Sequence, residues 1–80
     1  MTRVLHLIRH AEDQLAWEAA LAEPEDAEVR VVLVRGGAGA AAGAWAAAVA
    51  RGVTVAELGA GLDYDGLMAL IEVSDRVVAW

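Results

Sequence analysis

Val31, Val32, Leu33 and Val34 are apolar at four consecutive positions, with Val29 just before them. Side chains alternate between the two faces of a strand, so an unbroken apolar run rich in β-branched residues must be covered on both sides. That requirement predicts a central strand over Val29–Arg35, and it selects a parallel sheet sandwiched between helices. The flanking sequence supplies the helices. Glu12–Glu23 places Leu15, Ala19 and Ala22 on one helical stripe, with Trp17 and Leu21 beside it and acidic residues on the other face and in the first turn. Ala40–Arg51 has high helix propensity, sets Trp45 and Val49 on one face, and is followed by Gly52 at the position of a C-cap glycine. Leu67, Leu70 and Ile71 form the stripe of a third helix, with Met68 at its margin and Asp63 or Asp65 as its cap.

Three further strands complete the pattern. Arg3–Arg9 is a short apolar run, Val53–Leu58 alternates and is closed by Gly59 and Gly61, and Arg76–Trp80 is a short final strand. The order β-α-β-α-β-α-β predicts an α/β fold: a small three-layer sheet, parallel or mostly parallel, of about four strands with helices on its faces. With 80 residues there is room for one domain, residues 1–80. A chain this size buries only about 60% of its unfolded surface, so 59% apolar content predicts association with a partner. Three tryptophans in so short a chain point the same way, and Trp45, Tyr64 and Trp80 are the candidate interface residues.

Charge and composition narrow the function classes. Twelve acidic residues against six arginines give a formal charge of −6, which disfavours direct nucleic-acid binding. No run approaches a membrane span and the first ten residues lack a secretory pattern, so a cytoplasmic location is expected. Cysteine is absent, which removes disulfides, thiolate metal sites and cysteine nucleophiles from this chain. Ser74, Thr2 and Thr54 are the only hydroxyl nucleophiles besides Tyr64, and neither histidine lies beside them in sequence. The acids of Glu23–Glu28 read as a solvated turn.

Two local motifs suggest chemistry. Leu7-Ile8-Arg9-His10-Ala11-Glu12 resembles the strand-end Arg-His motif of the histidine phosphatase superfamily, which would make His10 the phosphoryl acceptor and Arg9 a phosphate clamp. That chemistry needs a second histidine at the same site. The only other one, His6, lies roughly 13 Å back along the strand. A metal site built from His10, Glu12 and Asp13 lacks a second clustered histidine as well, and no metal or cofactor is expected. Gly37-Ala38-Gly39-Ala40-Ala41-Ala42 has the form of a dinucleotide fingerprint, with Glu57 at the next strand end to reach a ribose. In a chain this rich in alanine and glycine the same letters also describe a glycine turn opening an alanine helix, with at most a weak anion site at Gly37 and Gly39.

A third resemblance spans more of the chain. Leu33-Val34-Arg35-Gly36-Gly37 followed by Ala40-Ala41, then Asp63-Tyr64-Asp65-Gly66-Leu67-Met68-Ala69-Leu70, Asp75 and Trp80, is similar to the DsrH/TusB family of sulfur-relay subunits. Met1–Leu7, with His6 after Leu5, is similar to that family's opening strand. The segment between Glu57 and Leu62 is shorter than the family pattern. The resemblance implies a non-catalytic subunit that packs with DsrE- and DsrF-like (TusD- and TusC-like) partners in a hetero- or homo-oligomer. Its assembly would serve tRNA 2-thiouridine formation or sulfur oxidation. Persulfide relay requires a thiolate, so sulfur would be carried on another chain.

Overall fold

Arg3–Ile8 (β1) and Glu28–Leu33 (β2) are the two strands that the sheet is built on, and the computed structural model places them side by side in parallel register, His6 opposite Val31. The structure describes residues 1–34 and 42–80. Between the two strands runs helix α1 (Gln14–Leu21). After β2 come α2 (Ala42–Ala50), β3 (Thr54–Leu58), β4 (Gly61–Leu62), α3 (Tyr64–Val73) and β5 (Arg76–Ala79). The strand order is β4-β3-β2-β1-β5, with every neighbouring pair parallel. The expected α/β architecture is therefore present, with one strand more than anticipated. Gly61–Leu62 is only two residues long and is turned back beside β3 by Gly59 and Gly61, both at positive φ (87° and 98°). Glycine tolerates that backbone without a Cβ clash, but nothing in so short a segment has a strand's alternation.

Alternation along β1 and β2 divides the core in two. Ile8, Val29, Val31 and Leu33 face α1 and α2, where Ala16, Trp17, Ala20 and Ala48 close the cluster. Leu5 and Val32 face the other way, onto Leu67 of α3. β2 is the buried centre that its apolar run demanded: Val31, Val32 and Leu33 are all fully covered.

The first helix is rotated from its expected setting. Leu15 belongs to the stripe of the sequence pattern but is 70% exposed, and Ala16, Trp17 and Ala20 are the buried residues. The reason is the indole of Trp17, whose Nε1–H donates to the Ala11 carbonyl at 2.7 Å. Burying so large a ring with its polar edge satisfied outweighs burying one leucine. The helix also starts later than expected. Its N-cap is Asp13, accepting from the Ala16 amide, and the first turn itself holds no acid. In α2, Ala48 is buried and Trp45 packs against the same cluster, while Val49, paired with Trp45 in the sequence reading, is exposed. Gly52 follows α2 at φ 85°, as a C-cap glycine should. Asp63 caps α3 through the Gly66 amide at 2.7 Å.

Candidate functional site

His6 lies in the middle of β1, on the same face as Ile8, and is 1% exposed. A polar ring at such a position needs partners for both nitrogens. It has them. Nε2 is 2.8 Å from Oε2 of Glu23, just beyond α1, and Nδ1 is 3.1 Å from Nε1 of Trp80, just beyond β5. The indole N–H can only donate, so Nδ1 of His6 must accept. The imidazole is thereby fixed as the neutral tautomer with its proton on Nε2, donating to the Glu23 carboxylate. The two rings lie nearly parallel, 15° apart with centroids 6.3 Å from each other, as an in-plane edge contact requires.

Register explains how residues so distant in sequence meet. β5 pairs with β1 so that Val78 is opposite His6, which puts Arg76 and Trp80 on the face that carries His6. The Arg76 guanidinium takes the second oxygen of Glu23 at 2.5 Å. The Glu23 side chain is only 11% exposed, so its charge is held between an imidazole N–H and an arginine. This overturns the reading of Glu23 as part of a solvated turn. Spacing gave no local signal, since its partners lie 17 and 53 residues away. The clue available in sequence was the lone histidine in an apolar strand, which had to find an acceptor and a donor somewhere.

The strand-end motif is arranged differently. Arg9 and His10 are exposed at the carboxyl end of β1. The Arg9 Nε–H donates to the Trp80 carbonyl at 2.8 Å, and the His10 carbonyl accepts from the Asp13 amide in the turn before α1. His6, held inside by Glu23 and Trp80, does not converge with His10 on a shared site. Among the described residues no group of three or more histidine or carboxylate side chains is placed to hold a metal ion.

The remaining sequence candidates are scattered. Gly37 and Gly39 lie outside the described residues. Glu57 sits at the end of β3 opposite Leu33, its Oε1 buried and without a hydrogen-bond partner among the described residues. Trp45 and Trp80 are partly buried against the chain's own α1–α2 cluster. Tyr64, the first residue of α3, stands 67% exposed. No helix of the described residues is long and apolar enough to cross a membrane.

No protein-family model, curated protein or solved structure matches this chain.

Proposed function

We propose that the chain is a non-catalytic, DsrH/TusB-like subunit of a cytoplasmic sulfur-relay assembly, docking onto cysteine-bearing DsrE/DsrF-like (TusD/TusC-like) subunits that serve tRNA 2-thiouridine formation or sulfur oxidation. The observation that carries the reading is the apolar surface on the α3 side of the sheet. Tyr64 and Met68 stand one helical turn apart on α3, Val73 ends the helix and Val77 follows on β5, and all four are exposed. The exposed Tyr64–Met68 pair, with further exposed apolar residues on the same element and on β5, supports an interaction surface. The buried histidine supports the same reading, because both its ring nitrogens are engaged inside the fold. With no cysteine in the sequence, any persulfide belongs to the partner chain.

The test is co-expression with candidate cysteine-bearing subunits of similar size, followed by sedimentation analysis and persulfide trapping. A stable complex should form, its persulfide should map to the partner, and Met68→Asp should dissociate it. A chain that stays monomeric at micromolar concentration with every such partner would overturn the proposal. So would stable phosphohistidine on His10 after incubation with an acyl phosphate, which would turn the reading to a histidine phosphatase-like enzyme.

A further inference from the structure

In a parallel sheet, ligands gather outside the carboxyl ends of the strands, at the point where the strand order reverses. Here that place is the β1–β5 seam. The chain leaves β1 for α1 on one face and reaches β5 from α3 on the other. A cavity of about 380 Å³ opens there, lined by Leu7 and Ala79, which are register partners, by Val34 beyond β2, by Leu67 of α3, and by Trp80 and Arg9 at its ends. That volume falls within the range of small-molecule sites, which run from about 300 Å³ upward.

We propose that this crevice binds a small amphipathic anion, a single carboxylate on a short aliphatic body. Leu7, Val34, Leu67 and Ala79 line it with aliphatic side chains, so the walls select an apolar body. Among the described residues, the charged side chain at the crevice is the Arg9 guanidinium. Its Nε–H donates to the Trp80 main-chain oxygen, which restrains the group. Its two terminal nitrogens make no hydrogen bond or ion pair among the described residues. A guanidinium held in this way presents parallel N–H donors that match the two oxygens of a carboxylate. The site does not use the exposed α3 surface, so it stands or falls separately from the assembly reading.

Titration of the full-length chain with octanoate, 1-octanol and inorganic phosphate, followed by methyl and indole NMR, tests the site. Octanoate should give saturable shifts at Leu7, Leu67, Ala79 and Trp80, while phosphate alone should leave those methyl groups unmoved. Octanol should bind at least about tenfold more weakly, the loss expected when a charge-assisted pair is removed. Arg9→Gln should weaken octanoate by a similar factor. Ala79→Leu, which fills the crevice and leaves Arg9 in place, should also abolish the shifts and serves as the second variant if Arg9→Gln disturbs the fold. Equal binding of octanoate and octanol, octanoate binding retained in both variants, or no saturable shift by about 10 mM would overturn the proposal.

Discussion

The two faces of the sheet are closed to different degrees. On one, α1 and α2 cover a cluster of ten buried residues that runs from Ile8 and Val31 to Trp17 and Ala48. On the other, a single helix covers Leu5 and Val32 through Leu67, while Tyr64, Met68 and Val73 remain outside. The first face holds the larger buried cluster, and both leave apolar residues exposed, Leu15 and Val49 on the first and Tyr64, Met68 and Val73 on the second. The difference follows from the order of elements. Two crossovers between β1 and β3 deliver α1 and α2 to one side, and among the described residues the helix on the other side is α3, in the connection into β5.

Substitutions on the two faces should therefore separate. Trp17→Ala removes the largest buried ring of the closed face and strands the Ala11 carbonyl, so it should lower the unfolding free energy in urea by about 3–5 kcal/mol. At the seam, His6→Ala leaves the Trp80 N–H without its acceptor and the Glu23 carboxylate without one of its donors. A loss of about 2–4 kcal/mol is expected from those two orphaned groups and the cavity, and His6→Gln should recover part of it. On the open face, Tyr64→Asp should change stability by less than about 0.5 kcal/mol, because the side chain is mostly in solvent, while still weakening assembly. A Tyr64→Asp loss as large as that of Trp17→Ala would erase the distinction between the faces.

What the sequence disclosed follows the same division. β2 was readable because four consecutive apolar residues admit one environment, and α3 because its Leu67-Leu70-Ile71 stripe and Asp63 cap agree. The setting of α1 was not, because a periodic stripe cannot weigh the indole hydrogen bond of Trp17 against the burial of Leu15. The His6–Glu23–Arg76–Trp80 cluster was hidden for a different reason. His6 is on β1, Glu23 lies just past α1, and Arg76 and Trp80 are on and just past β5, so the turn after α1 and the β1–β5 register are both needed to bring them together. Arg9 and His10 were legible as a strand-end pair, but that Arg9 is tied to the Trp80 carbonyl depends on the same register.

The pairing of β5 with β1 also sets the order in which the molecule can be assembled. Arg3 and Asp75 exchange hydrogen bonds across 72 residues, and His6 waits for an indole 74 residues away. Contacts of such long range are the slowest to form, since a large loop must close before any of them is gained. During synthesis β1 emerges early and can pair with β2, yet one flank of it stays unpaired until β5 has been made. Through that interval the imidazole lacks its indole donor and the edge of β1 is open to other strands. The docking of β5 is therefore the step at which β1 passes from a pairing-competent edge to a strand paired on both sides.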